Sequence, residues 1–101
     1  MDRVIRDGKV AILYSPGFGA GWYSWHHIEE LVFDPSIVAW LEANELGKIV
    51  SYLTLKYPDE YFGGVDQLTI KWIPQGTQFR IEEYDGAESV QLLLNERYLT
   101  A

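Results

Sequence analysis

The sequence predicts a single α+β domain over residues 1–101, with strands grouped at both ends of the chain and two helices between them. Asp-Gly pairs at 7–8 and 85–86 each separate two β-prone runs, as two-residue hairpin turns do. In the middle of the chain, the apolar residues recur at helical spacing instead. The resulting order, ββααβββ, favours a mostly antiparallel sheet with both helices packed on one face over alternating parallel strands.

The first predicted hairpin joins strands near 3–6 and 9–14, because Asp7-Gly8 readily adopts the positive φ angles of a tight turn. The next segment, 15–25, contains three glycines within five positions and several aromatic residues. So many glycines would weaken a helix or a strand, and so many aromatic residues are unusual in a solvated loop. We therefore predict an irregular loop that either fills the core with its aromatic side chains or contacts a ligand.

Two helices are predicted between residues 35 and 57. Asp34-Pro35 is typical of a helix start, because Asp accepts hydrogen bonds from free N–H groups and Pro is tolerated in the first turn. The second helix ends before Pro58, since the residue that precedes a proline is disfavoured in helical geometry. The helix at about 35–44 would bury Ile37, Val38 and Leu41, and the helix at 46–57 would bury Leu46, Ile49, Val50, Leu53 and Tyr57.

The remaining strands follow a loop that contains Gly63-Gly64. This loop is either a plain turn or a flexible segment that closes over whatever the first loop binds. In the run 67–73, strict alternation places Leu68, Ile70 and Trp72 on one face of a strand. A turn then leads into the second hairpin, whose predicted strands are 78–84 and 88–94.

Charge and composition exclude several classes of function. The chain has 8 Lys and Arg against 15 Asp and Glu, a net charge of −7, which argues against binding DNA or RNA through phosphate contacts. It has no Cys, so disulfides and thiolate chemistry are excluded. Without an apolar run long enough to span a membrane or the apolar centre of a signal peptide, the expected location is the cytoplasm.

Aromatic residues are unusually abundant, with 4 Trp, 7 Tyr and 4 Phe in 101 residues. A domain of this size buries only about 65% of the surface of its unfolded chain, so part of this aromatic surface is expected to stay exposed or to lie at an interface. The composition therefore predicts a homo-oligomer, most simply a twofold dimer.

The glycine-rich loop is the strongest candidate for a binding site. Its glycines would let backbone N–H groups approach a phosphate, and its aromatic side chains would stack on a base. Arg80 would either neutralise a phosphate or pair with Glu82 or Glu88 across the hairpin. The candidate ligand-binding residues are Gly17, Phe18, Gly19, Gly21, Trp22, Trp25, His26, Phe62 and Arg80.

Catalysis has little support in the sequence. His26 and His27 are adjacent, so their side chains diverge, and the chain has no other His to complete a metal site. No hydrolase motif or kinase signature is present. We therefore expect no metal and no cofactor, and place a hydrolase that uses His26 or His27 last among the hypotheses.

Several motifs resemble a family of small uncharacterised proteins from phages and prophages. They are the run Lys9–Trp22, the tripeptide 33–35, Gly63-Gly64 and the run Phe79–Gly86. The resemblance spans most of the chain. It implies a short, acidic accessory protein that counters host defence in the host cytoplasm, either by sequestering a nucleotide immune signal or by blocking a host protein.

Two functional hypotheses follow from the residues and the resemblance together. The first is a non-enzymatic module that sequesters a nucleotide-type small molecule in the glycine-rich loop. The second is an acidic inhibitor that docks on a basic host defence protein, as a nucleic-acid mimic or as a blocker of a protein interface. The first is the leading hypothesis from the sequence and the second the alternative, although the net charge counts against the first, because an anionic ligand would need a locally positive or N–H-rich pocket.

Overall fold

A computed structural model describes residues 2–19 and 21–93 and confirms the α+β class. Two predicted hairpins form around type I′ turns, in which Asp7 and Asp85 both have positive φ angles. The predicted end of the last strand, at residue 94, lies outside the described residues. The elements are β1 (Ile5–Arg6), β2 (Lys9–Tyr14), α1 (Tyr23–His26), α2 (Glu30–Phe33), α3 (Pro35–Glu42), α4 (Leu46–Lys56), a 3-10 helix (Val65–Gln67), β3 (Thr69–Pro74), β4 (Phe79–Tyr84) and β5 (Ala87–Leu92).

The strands form two antiparallel sheets rather than the single sheet expected. One has the order β1-β2-β3, and the other is the β4-β5 hairpin. The reason lies in β2, whose two faces are both apolar. Ala11 and Leu13 pack with the helices on one side, while Val10 and Ile12 pack towards the hairpin on the other. A strand buried on both faces requires a layer on each side.

Two apolar clusters hold these three layers together. The first lies between the β1-β2-β3 sheet and the helices α3 and α4. The second lies between the same sheet and the β4-β5 hairpin. The buried members of the first cluster are Ala11, Leu13, Trp22, Leu31, Ile37, Val38, Ile49, Leu53 and Leu68, and those of the second are Val10, Ile12, Val32, Phe33 and Ile73.

The predicted start of α3 is confirmed. The Asp34 carboxylate accepts hydrogen bonds from the N–H groups of Ser36, at 2.9 Å, and of Ile37, at 3.2 Å. Its second oxygen accepts a hydrogen bond from the hydroxyl of Tyr52 on α4, at 2.6 Å. One buried carboxylate therefore caps α3 and fixes α4 against it, and Ile37 and Val38 are buried as expected.

The buried face of α4 differs from the prediction. Ile49 and Leu53 are fully buried, but Leu46 and Val50 are 40% and 48% exposed. Tyr52 takes their place against the core because its hydroxyl is held by Asp34. The helix is thus rotated about its axis so that a narrower stripe of residues faces the sheet.

Two short helices, α1 and α2, occupy a segment in which the sequence predicted no element. Each has four residues, about one turn, so neither repeats the apolar spacing from which longer helices are recognised. In α2, Leu31 joins the first apolar cluster, whereas Val32 and Phe33 join the second. Within the described residues, no helix combines the length and the apolar character that a membrane span requires.

A matched pair of truncations tests this orientation of α4. Ile49→Ala is expected to lower the free energy of unfolding by about 2–5 kcal/mol, because it leaves a cavity in the first apolar cluster. Val50→Ala is expected to change it by less than about 0.5 kcal/mol, since Val50 is half exposed. Urea unfolding of both variants is the measurement, and equal losses would place Val50 in the core.

Candidate functional site

Three segments that are distant in the sequence meet at one end of the molecule. We call this end the loop end and define it as residues 15–27, apart from Ala20, together with 57–68 and 83–88. The backbone N–H of Gly19 donates to the carbonyl of Asp85, at 2.6 Å. The rings of Trp25 and Tyr61 lie 5.9 Å apart, which joins the second segment to the first.

A buried carboxylate, Glu88, holds the loop end together. It is 3% exposed and accepts hydrogen bonds from the backbone N–H groups of Ser15, Trp22 and Ser24, at 3.0, 2.8 and 2.8 Å. The Ser24 hydroxyl donates a fourth, at 2.7 Å. The N–H of Glu88 itself donates to the carbonyl of Ser15, at 2.8 Å. The glycine-rich loop therefore surrounds an anion, and that anion belongs to the chain itself.

Internal hydrogen bonds also use two of the three glycine N–H groups that were expected to bind phosphate. Gly19 donates to Asp85 and Gly21 donates to Gly86, and the latter bond is 2.7 Å long. Both donors have a φ of +72°, which is why glycine is favoured at these positions. The indole of Trp25 lies directly over Gly21, where any Cβ atom would collide with it. Gly19 and Gly21 therefore hold the loop against the β4-β5 turn, whereas no internal acceptor is found for the N–H of Gly17 among the described residues.

Three of the predicted aromatic and histidine residues come together in the interior. Trp22 is fully buried, and its ring centroid lies 4.7 Å from that of His26 and 5.8 Å from that of Phe62. A fully buried indole has no free face on which a base can stack. Trp22 therefore has the core role that the sequence left open, and its contact with Phe62 joins the two glycine-containing loops.

His26 is held neutral by its surroundings. Burial lowers its pKa to about 4, although the nearby Glu88 carboxylate opposes this shift. Its Nδ1 accepts a hydrogen bond from the N–H of Ile28, at 2.8 Å, which places the proton of the neutral ring on Nε2. His27, in contrast, is exposed at the end of α1 with a φ of +56°. The two side chains diverge, as the sequence indicated.

The exposed aromatic residues of the loop end form its outer surface. Phe18, Tyr61 and Tyr84 are 78%, 71% and 74% exposed, and Trp25 is 48% exposed. Trp25 and Tyr61 stack at an angle of 34° between their rings. Phe18 and Tyr84 are the chain neighbours of Gly19 and Asp85, which are hydrogen-bonded to each other. Of these four residues, Tyr61 and Tyr84 were not identified from the sequence.

The charge of the loop end is entirely negative. Its three segments contain no Lys or Arg. Apart from the buried Glu88, all of its carboxylates are exposed, and they are Asp59, Glu60, Asp66, Glu83 and Asp85.

Arg80 does not join the loop end. It lies on β4 five residues before Asp85, which corresponds to about 17 Å along a strand. Its guanidinium pairs with Glu82 at 2.7 Å, one of the two alternatives that the sequence left open. The other is ruled out by the register, since Glu88 lies opposite Glu83 while Arg80 lies opposite Gln91 on the other face of the hairpin.

Glu88 is the residue that sequence reasoning missed. The signal was present in the alternation of β5, where Glu88 shares a face with the apolar Val90 and Leu92. A carboxylate on the apolar face of a strand must find several hydrogen-bond donors or lose its charge. An adjacent loop rich in glycine is one place where such donors are found.

No protein-family model, curated protein or solved structure matches this chain. Among the residues that the structure describes, no three His, Asp or Glu side chains are grouped as metal ligands would be.

We expect Glu88→Gln to lower the free energy of unfolding by about 2–4 kcal/mol, because the substitution removes a charged acceptor and turns an NH2 group towards buried donors. Glu82→Gln is the control. It removes an equal charge from the same hairpin, where the ion pair is exposed, and should cost less than about 1 kcal/mol. Chemical unfolding near neutral pH gives both values. Equal losses would mean that Glu88 does not hold the loop.

The pKa of His26 predicts a dependence of stability on pH. Its pKa is about 4 in the folded chain and near 6.5 when unfolded, so the unfolded chain binds more protons between these values. Stability should therefore fall as the pH is lowered from about 6.5 towards 4. Urea unfolding at about pH 7 and pH 5 measures this loss, which His26→Asn should reduce and the control His27→Asn should retain. An unchanged loss in His26→Asn would assign it to other groups.

Proposed function

We propose that this chain is a non-enzymatic protein-binding module that docks on a basic surface of its partner through the loop end. One observation supports the proposal above all. Four exposed aromatic side chains share this end with five exposed carboxylates, and its segments contain no Lys or Arg. Aromatic side chains supply the anchors of protein interfaces, and charge of one sign selects a partner of the opposite sign.

The hydrogen bonds beneath this surface make it suitable for binding. Gly19 and Gly21 are tied to the β4-β5 turn, and Trp22 is tied to Glu88. A loop that is already held in one conformation loses little entropy when a partner docks. The exposed rings of Phe18 and Trp25 are therefore presented by a fixed backbone, although many glycines are present.

A partner protein fits this surface better than a second copy of the chain. Two loop ends placed face to face would bring carboxylates such as Asp59 and Glu60 against those of the other copy, and like charges destabilise an interface. The homo-oligomer expected from the aromatic content stays a prediction. If the resemblance to phage proteins holds, the basic partner is a host protein that this chain blocks.

Binding of a nucleotide would require a rearrangement of hydrogen bonds that binding of a protein partner does not. A phosphate bound by the N–H groups of Gly19, Gly21 or Trp22 would have to replace the turn carbonyls or Glu88 as their acceptor. It would also approach three segments that contain no Lys or Arg, and the neighbouring Lys56, 5.7 Å from the ring of Tyr57, already pairs with Glu30. A protein partner needs neither change, and the module that sequesters a nucleotide is therefore our second hypothesis.

Loss of the aromatic surface is expected to weaken binding while the fold remains intact. The wild-type chain is used to capture proteins from a host-cell lysate, and each captured protein is then purified. The double substitution Phe18→Ser and Tyr61→Ser should weaken its affinity at least tenfold by calorimetry, because both rings are more than 70% exposed and anchor the interface. Added salt should also weaken binding, because the partner is basic.

Leu55→Ser provides the matched control, since Leu55 is 84% exposed on α4, outside the loop end. It should leave both the affinity and the melting temperature unchanged. Capture of an acidic partner, equal binding by the double variant, or failure to capture any protein would contradict the proposal. A nucleotide that raises the melting temperature of the wild-type chain would support the second hypothesis instead.

A further inference from the structure

A groove of about 790 Å³ runs along the second sheet, on the side of β4 that does not face β5. Six consecutive residues, 76–81, line one of its walls. Of these, Gly76, Thr77 and Gln78 precede β4, whereas Phe79, Arg80 and Ile81 belong to it. Side chains alternate between the two faces of a strand, so three consecutive strand residues line one groove where it follows the strand edge. Val32 and Phe33 of α2 form the opposite wall.

The hydrogen-bond pattern of the hairpin shows which backbone groups point into this groove. The N–H of Leu93 donates to the carbonyl of Gln78, at 2.8 Å, so this pair is hydrogen-bonded. In an antiparallel pair the hydrogen-bonded positions alternate, and Arg80 is therefore the next residue bonded to β5. The N–H and C=O groups of Phe79 and Ile81 point the other way, towards the groove.

The N–H and C=O groups of Phe79 and Ile81 have no backbone hydrogen-bond partner within residues 2–19 and 21–93. Two arginines flank them. Arg80 is on β4 itself, and the guanidinium of Arg3 lies 4.4 Å from the ring centroid of Phe33 on the opposite wall. The charged residues that line the groove are Arg3, Arg80 and Glu29, a net charge of +1 in a chain whose net charge is −7, and the guanidinium of Arg80 also pairs with Glu82.

We propose that the open edge of β4 binds an extended peptide segment with acidic residues, which adds to the hairpin as a third strand. Phe79 and Ile81 would supply the main-chain hydrogen bonds. Arg3 and Arg80 outnumber Glu29, the one acidic residue among those that line the groove, and this excess favours an acidic segment.

The register of such a strand sets its preferred sequence. Residues opposite Phe79 and Ile81 would lie on the same face as these two side chains, which pack against the second apolar cluster, and should be apolar. The residue between them lies opposite Arg80 and should be Asp or Glu, since opposite charges on facing strands stabilise the pair. Glu29 also lines the groove, on its helical wall, and disfavours further acidic residues on that side.

This site is separate from the loop end, and the two select opposite partners. The loop end is acidic and would take a basic surface, whereas the β4 edge would take an acidic strand. The double substitution of Phe18 and Tyr61 should therefore leave peptide binding at β4 unchanged, which makes the two proposals independent in experiment.

The test uses the full chain and two nine-residue peptides, one of alternating valine and glutamate and one of alternating valine and lysine. The glutamate peptide is expected to bind at least tenfold more tightly. At saturation, amide exchange at Phe79 and Ile81 should slow at least tenfold. Exchange at Arg80 and Glu82 should not change, because their N–H groups already donate to β5.

Arg80→Glu should lower the affinity for the glutamate peptide at least tenfold and raise the affinity for the lysine peptide. Lys71→Glu is the control, because it changes the net charge equally at an exposed position that does not line the groove. It should alter neither affinity more than twofold. Equal effects of the two variants, or peptide binding without protection of Phe79 and Ile81, would overturn the proposal. If amide exchange at Phe79 and Ile81 slowed with rising protein concentration in the absence of peptide, the edge would bind a second copy of the chain. That result would also overturn the proposal.

Discussion

The structure of the loop end depends on one buried carboxylate. Glu88 accepts four hydrogen bonds from Ser15, Trp22 and Ser24, three from backbone N–H groups and one from a hydroxyl. The bonds of Gly19 and Gly21 to the hairpin turn then complete the contact. A loop with three glycines would lose much backbone entropy on ordering, and these charge-assisted hydrogen bonds offset that loss.

The same interaction links the two apolar clusters. Ser15 follows β2, which contributes to both clusters, and Glu88 lies on β5, whose Val90 and Leu92 pack against the second. The N–H of Trp22 donates to Glu88, and the Trp22 side chain is buried in the first cluster, between the sheet and the helices. The hydrogen bonds of Glu88 therefore hold the backbone in the position from which Trp22 reaches the core, and the burial of Trp22 holds the same N–H group near Glu88.

Local features of the fold could be read from the sequence, and distant ones could not. The Asp7-Gly8 turn and the Asp34 cap depend on neighbouring residues alone, and both were predicted correctly. The rotation of α4 depends on Tyr52 reaching Asp34, and no local rule chooses between Val50 and Tyr52 as the buried residue. The four donors around Glu88 lie more than 60 residues away along the chain, beyond the reach of any spacing argument.

The contact between Ser15 and Glu88 spans 73 residues, and this separation has a consequence for the order of folding. During synthesis, the glycine-rich loop leaves the ribosome long before its acceptor does. The β1-β2 hairpin and the helices can form early from local contacts, whereas the loop can become ordered only once β5 has emerged. Because contacts between distant residues close more slowly than local turns, the glycine-rich loop is expected to become ordered after the two hairpin turns.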